Sequence, residues 1–334
     1  MRMVLRRLAV GVPAALGVVI VTFMMIRLSG ESPVHHLAGP NASPVEIRAV
    51  TQALGLDKPL WEQLGIYVGH LVRGDLGRSW LSGQPVLTEL VDRLPATLEL
   101  VILATILGAF VGIWVGCHAA FRPEGRFDTV ARLAATVTFS IPIYVVGLLA
   151  ILIFFAVLGV APAPMGRLSV AVLPPSRVTG SYLIDAMLAG DATAVASAAA
   201  QLALPVACFA LVVAGPMVKQ VRAVVADALK SDYVAYASAC GLDRGRIRRI
   251  ALRNSVVPIA TFLGGELSHL FAASSLIELT FAWGGVGQYG LNAILQGDFA
   301  AVQGYVLLLA LGSLLVFFVV DVLVWFLEPR GRGA

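Results

Sequence analysis

Glu266 and His269 stand three residues apart in an otherwise apolar stretch, a spacing that places a carboxylate and an imidazole on one face of a helix. Ionisable groups in such stretches are costly and face a protein interior or a watery cavity. The two are therefore candidates for lining a pathway, with a local structural pair as the alternative. Other chemistry fails on spacing. The five histidines, His35, His36, His70, His118 and His269, are scattered, and no His-Glu-x-x-His occurs, so a helix-borne zinc site has no ligand set. Cys117, Cys208 and Cys240 have no paired spacing; they fit neither a disulfide framework nor a metal cage and read as small buried apolar residues. The three lysines, Lys58, Lys219 and Lys230, do not follow glycine, which excludes the Gly-x-x-x-x-Gly-Lys-Ser/Thr loop that cradles phosphates. No catalytic residue and no metal are expected in this chain.

The elements that would carry these residues belong to a membrane. Of 334 residues, 58% are hydrophobic and 13% charged, and the mean hydropathy is +0.87. Soluble domains carry about 25% charged residues. Six stretches approach the ~20 apolar residues that a span requires: 8–28, 96–119, 133–159, 200–218, 255–281 and 305–327. The first follows Arg2, Arg6 and Arg7, exceeds the ~7–15 apolar residues of a secretory leader, lacks a good cleavage site and reads as a retained helix. With the N-terminus inside, segments 1–7, 120–132, 219–254 and 328–334 hold sixteen Lys and Arg; the outer segments 29–94, 160–199 and 284–303 hold seven. That imbalance places both termini in the cytoplasm.

The outer segments are patterned. Ser43-Pro44-Val45-Glu46 has the spacing of a capping box with proline at the first helical position, and Gly55 is a natural stop. A second helix is expected from Pro59 to about Val72, followed by a turn at Gly74-Asp75-Leu76-Gly77. Such a segment packs over the outer mouth or lies in the membrane interface. In the second span Gly108, Gly112 and Gly116 recur every four residues, the mark of a close helix seam in lipid. Glu99 and Asp321 are expected to find packing or interfacial partners, and Gly264-Gly265 to loosen or kink the fifth span.

Residues 219–254 form a long basic inner loop. Ser231 is placed to cap a helix over Tyr233–Ala239 that stops near Gly241, and Asp243 to cap a second over Arg244–Leu252. Two helices broken at glycine make an angled elbow. Ala237 and Gly241, four apart and small, permit close contact with another surface, and Arg244, Arg246, Arg248, Arg249 and Arg253 surround it with positive charge. A plain positive loop on anionic lipid would need no such pattern.

This segment resembles the EAA loop of ABC importer permeases, Ala-x-x-x-Gly, then nine residues, then a Leu-Pro-like ending. Here Ala237 and Gly241 are followed by nine residues, Leu242 to Ile250, and by Ala251-Leu252-Arg253-Asn254, with Arg253 in place of the general proline. The Leu-Arg-Asn ending is similar to the peptide-importer branch. So are LGLDKPLWEQLGIYVGHLVRGDLGRSW at 54–80, ELTFAWGGVGQYGLNAI at 278–294, GDFAAVQG at 297–304 and DVLVWFLEPRGR at 321–332, which resemble the B-type permease of dipeptide, oligopeptide and nickel importers.

The resemblance implies an all-α polytopic membrane protein with six transmembrane helices, of the type I ABC importer permease architecture. It implies an N-terminal transmembrane helix (1–28), an extracytoplasmic region (29–94) with a helical outer loop, and a core permease domain (95–334) whose loop 219–254 carries a cytoplasmic coupling helix. Ala237, Gly241, Leu242, Asp243, Arg246, Arg249 and Asn254 would couple to the ATPase, while Glu278, Gly285 and Gly287 would be structural at the outer mouth. The implied partners are a second homologous permease, two cytoplasmic ATP-binding subunits or a fused pair, an extracytoplasmic substrate-binding protein and the lipid bilayer, with no nucleic acid. ATP and Mg would bind to the ATPase partners and no cofactor to this chain, set in the bacterial inner membrane. The cargo would be di- or oligopeptides, with nickel, glutathione or another small solute as alternatives. A membrane enzyme lacks a ligand set here. A secondary transporter would show inverted repeats, and none is evident between residues 1–160 and 161–334.

Overall fold

The computed structural model describes residues 2–28, 42–53 and 55–327. The His35–His36 pair, the tail 328–334 with Arg330 and Arg332, and the side chains of Arg2, Arg6 and Arg7 lie outside what is described. Among the described residues the chain is helical without a sheet; one isolated bridge joins Arg78 and Pro85. In chain order the helices are α1 (Arg2–Leu28), α2 (Pro44–Ala53), α3 (Leu60–Val72), α4 (Val86–Phe121), α5 (Arg126–Ser140) and α6 (Ile143–Ala150), which runs into a π-helical segment (Ile151–Val157). There follow α7 (Tyr182–Ala189), α8 (Ala192–Leu229), α9 (Asp232–Ala239), α10 (Arg244–Thr280), α11 (Val286–Leu295) and α12 (Phe299–Leu327).

Four helices, α4, α8, α10 and α12, are long and apolar enough to cross a bilayer, and α1 holds a shorter apolar run, Pro13–Met25. The expected span 133–159 is not one helix. It divides into α5 and the α6–π segment, bent by 99° at Ile141–Pro142. The ring of Pro142 disfavours helical geometry at Ile141, which takes φ −90° and ψ 125°, and proline itself then starts the next helix. Of the six expected spans, four appear among the described residues as uninterrupted helices and one as a bent pair, while the apolar run of α1 is shorter than a span.

The chain forms two compact units, Met1–Leu94 with Gly285–Leu314 and Pro95–Gly284 with Leu315–Ala334. In the first, the capping box is closed: the Ser43 N–H donates to Glu46 Oε2 at 2.7 Å and the Glu46 N–H to Ser43 Oγ at 3.3 Å. Those bonds hold the Glu46 carboxyl below the usual carboxylate range. Helix α2 ends ahead of Gly55 at φ +63°, and α3 matches the expected second helix. In the turn after α3, Asp75 accepts from the Gly77 N–H at 2.9 Å and lies 3.0 Å from His70 Nδ1. Buried Asp298 gathers the next segment, accepting from the N–H groups of Trp80 at 3.0 Å and Ala301 at 3.2 Å and from the Ser79 hydroxyl.

In the second unit, α8 is the central packing helix, touching α5, α6, α7 and α10. Its start is capped by Asp191, which accepts from the N–H groups of Thr193 and Ala194. Gly108, Gly112 and Gly116 form the expected seam. A Cβ on each would press on Val213, Met217 and Val221 of α8 in turn, so only glycine permits this approach. Ala119, Ala131, Ala135 and Val218 make a small-residue cluster where α4, α5 and α8 meet.

Candidate functional site

The elbow begins at Ser231, whose backbone is extended as in a cap (φ −72°, ψ 155°). Its hydroxyl does not cap α9, however; it donates backward to the Ala228 carbonyl at 2.5 Å. Helix α9 closes as a Schellman motif. The Gly241 N–H donates to the Ser238 carbonyl at 3.0 Å and the Leu242 N–H to the Ala237 carbonyl at 3.2 Å, with Gly241 at φ +79°. An L side chain there would be strained, so glycine is what lets the chain reverse between the helices.

Asp243 caps α10 as the sequence indicates, accepting from the Arg246 N–H at 3.0 Å. The Arg246 guanidinium lies 3.3 Å from the same carboxylate. The expected second short helix, Arg244–Leu252, is not separate: α10 runs 37 residues without a break, so the elbow and the fifth span are one rod. Nothing between Arg253 and Pro258 supplies the reversing residue that ends α9; Pro258 lies inside the helix and removes one backbone hydrogen bond without ending it.

The elbow's small residues do not share an accessible face. Ala237 is buried with Val234, whereas Gly241 is exposed and a Cβ on it would meet nothing within 4 Å. The outward surface is instead Tyr233 and Tyr236, the latter 74% exposed, with Arg246 and Arg249. Two tyrosines three apart on an eight-residue helix were the available signal. Leu242 is half-buried, and exposed Asn254 returns its amide to the Ile250 carbonyl at 3.1 Å. Arg248 lies over the Phe121 ring at 4.8 Å.

Two buried networks brace this unit. Asp128, with no exposed surface, accepts from Arg222 Nε at 2.6 Å and Nη2 at 2.8 Å and from the Glu124 N–H at 3.1 Å, tying α5 to α8 ahead of the elbow. Glu99 finds the partners expected of it: the Ser181 hydroxyl at 2.7 Å, the Leu183 N–H at 3.3 Å and Arg167 at 3.4 Å. Arg167 also donates to the Gly180 carbonyl at 2.7 Å and stacks on Tyr182 at 3.9 Å. Burial pushes the Asp185 carboxyl up, but bonds from the N–H groups of Thr179, Gly180 and Val178 and from the Thr179 hydroxyl bring it below its ordinary value. Glu278 is fully buried and accepts from the Thr97 hydroxyl at 2.6 Å, and Gly285 starts α11.

Glu266 and His269 sit one turn apart on α10 without a hydrogen bond between them; Glu266 is half-buried and His269 exposed. Gly264-Gly265 does not break the helix. Gly264 is a contact glycine against Val320 of α12, while Gly265 faces open space. Among the described residues no three His, Cys, Asp or Glu side chains gather as a metal site. Cys117 and Cys208 are buried as expected, but Cys240 is exposed, because it stands at the turn that ends α9.

Residues 100–333 match the family described as binding-protein-dependent transport system inner membrane component, and residues 1–101 match the N-terminal part of such components. A probable D,D-dipeptide transport system permease protein of Escherichia coli is 38% identical over 319 residues, covering 95% of this chain and 94% of the relative. A di/tripeptide transport system permease protein of Pseudomonas aeruginosa is 34% identical, covering 98% and 97%, and a dipeptide transport system permease protein of Alkalihalophilus pseudofirmus 32% identical, covering 98% of each. With its apolar spans and a match along nearly its whole length, the chain belongs to the binding-protein-dependent transport system inner membrane components, multi-pass permeases of the inner membrane.

Proposed function

We propose that this chain forms half of an ATP-driven import pathway for peptides and receives the stroke of a cytoplasmic ATPase through residues 231–254. The observation that carries the reading is the capped helix–glycine–helix elbow whose second helix is continuous with a membrane span. A surface load on α9 passes through the short turn at residues 240–243 to α10, which carries it into the span without a further loop. Peptide cargo rests on the three relatives described above, each a peptide transport permease by name. The partners in this reading are a second homologous permease, a pair of ATP-binding subunits that hold ATP and Mg, and an external substrate-binding protein. The chain contributes no nucleotide site, and the distribution of Lys and Arg puts both termini in the cytoplasm.

Gly241, Leu242, Asp243, Arg246, Arg249 and Asn254 shape or flank the contact, Tyr236 provides its exposed aromatic centre, and Ala237 supports it from inside. ATP-driven closure of the ATPases would switch the spans between two rigid packings. The test is peptide uptake and ATP hydrolysis by the assembled importer carrying Tyr236→Ala or Gly241→Val. Uptake should fall at least tenfold in both while the chain still inserts. Wild-type uptake in both variants would overturn the assignment.

A further inference from the structure

The long spans differ in how their apolarity relates to their exposure. The most apolar window of α12 has a mean hydropathy of 2.8 and none of it is buried, as expected of a helix set against lipid. The windows of α4 and α8 score 2.4 and 2.0 and are about half buried. Helix α10 breaks this relation: its window scores 1.4, the lowest of the four, yet only 17% of it is buried. A span that is only partly covered and comparatively polar is poorly matched to hydrocarbon, where unshared polar groups are costly.

The exposed polar side chains Asn254, Thr261 and His269 share one direction, whereas Ser255, Ser274, Ser275 and Glu278 are buried. At ~100° per residue, Asn254, Pro258, Thr261, Gly265, Ser268, His269 and Ala272 fall on one strip about 100° wide. Asn254, Pro258, Thr261, His269 and Ala272 are exposed, and Gly265 and Ser268 half-exposed. The exposed side of α4 reads differently, with Ile102, Ile106, Phe110 and Trp114 as a lipid-facing helix requires. The Thr261 hydroxyl donates to the Val257 carbonyl at 3.0 Å, which leaves its lone pairs directed outward as acceptors. A Cβ on Gly265 would meet nothing within 4 Å, so this glycine is not used for packing within the chain. His269, one turn beyond Gly265, and Pro258 below Thr261 interrupt the run of small residues that a dry helix–helix seam uses, as at Gly108, Gly112 and Gly116.

We infer that the Thr261–Gly265–Ala272 strip of α10 lines the water-filled translocation route and is the surface that a hydrated peptide backbone slides along. The strip offers hydroxyl acceptors and clearance without charge at its centre. Glu266 lies about 100° of helix rotation from Gly265 and so stands beside the strip rather than on it. This inference rests on the peptide-import reading.

The test is thiol accessibility in the assembled importer, in membranes, with Cys117, Cys208 and Cys240 replaced by Ala. Thr261→Cys, Gly265→Cys and Ala272→Cys are compared with Ile106→Cys and Phe110→Cys, each with and without ATP. The anionic, membrane-impermeant sulfonatoethyl methanethiosulfonate should modify the three strip positions at least tenfold faster than the two controls in one of the nucleotide states. Saturating dipeptide during turnover should slow that reaction. Strip thiols that react only with lipid-permeant N-ethylmaleimide would mean a lipid face, and strip thiols that react with neither would mean a packed subunit interface; either overturns the inference. Peptide uptake by the unmodified Cys-free importer is measured separately. Failed uptake with the expected labelling would overturn the cargo reading and leave the water-lined strip standing.

Discussion

Adjacent glycines in α10 should respond oppositely to a single methyl group. A Cβ on Gly264 would fall 2.7 Å from Val320 Cγ1 and 2.9 Å from Val320 Cβ, with Cγ2 closer still. Because Val320 Cβ itself is in the way, no rotamer of that valine clears the space. The helices must part by roughly 1 Å to reach the ~3.5–4.0 Å of ordinary carbon contact. A Cβ on Gly265 would meet nothing. Gly264→Ala and Gly265→Ala share the same gain in helix propensity, about 1 kcal/mol, so the difference between them isolates the clash. Overpacking of this kind costs about 1–3 kcal/mol. Thermal unfolding of the purified importer in detergent should therefore place Gly264→Ala below Gly265→Ala, with Gly265→Ala at or above the parent. Gly264→Ala combined with Val320→Ala should recover most of the loss. Equal midpoints for the two single variants would refute the contact between α10 and α12.

Asp128→Asn should destabilise the second unit by about 1.5–3 kcal/mol, the usual worth of hydrogen bonds to a charged group, since the partly exposed Arg222 would keep its charge opposite a neutral amide; denaturant unfolding of the purified chain reads this. Asp185 gives a pH signature. Its carboxyl titrates below its ordinary value in the folded chain, so its contribution is fully present above the unfolded value of about 3.9 and is lost as pH falls through the lower folded value. Thermal midpoints measured from pH 6 down to pH 3 should fall less steeply for Asp185→Asn than for the parent, and parallel curves would count against that role.

The local punctuation of the fold was legible because it depends on residues close in sequence. The Ser43–Glu46 box, the Gly241 reversal and the Asp243 cap each stand on a few neighbouring side chains. The glycine seam of α4 was legible because lipid imposes a simple spacing on close helices. What escaped depended on distant partners. Asp128 carried no local signal, because its partner Arg222 lies 94 positions away. Ala237 looked like a contact surface, but helix rotation turned it inward and left Tyr236 out. Hydropathy alone described 133–159 as one span, because a window average is blind to the steric effect of Pro142 on Ile141. The same averaging hid the strip on α10, which appears only when exposure is set beside polarity.

These parts have a mechanical consequence for the proposed transport cycle. The glycine seam holds α4 against α8, and the Arg222–Asp128 fork holds α5 against α8, so these three helices resist relative movement. The α5–α6 junction, broken at Pro142 and followed by a π-helical segment, has fewer continuous backbone bonds to resist bending. Helix α10 begins at the elbow and reaches Gly265 after 21 residues of rise, about 32 Å at 1.5 Å each. A rotation of the elbow by only about 5° would shift Gly265 by roughly 3 Å if the rod stayed straight over that length, comparable to the thickness of a peptide chain's polar contact. Pro258 lies on that path and lacks the N–H that would bond the Asn254 carbonyl, so it is the one point at which the lever is softened. Stiffness elsewhere and compliance at Pro142 and Pro258 are what a rod needs if a push at Tyr236 is to change the width of the route at Thr261 and Gly265 while the seam stays closed.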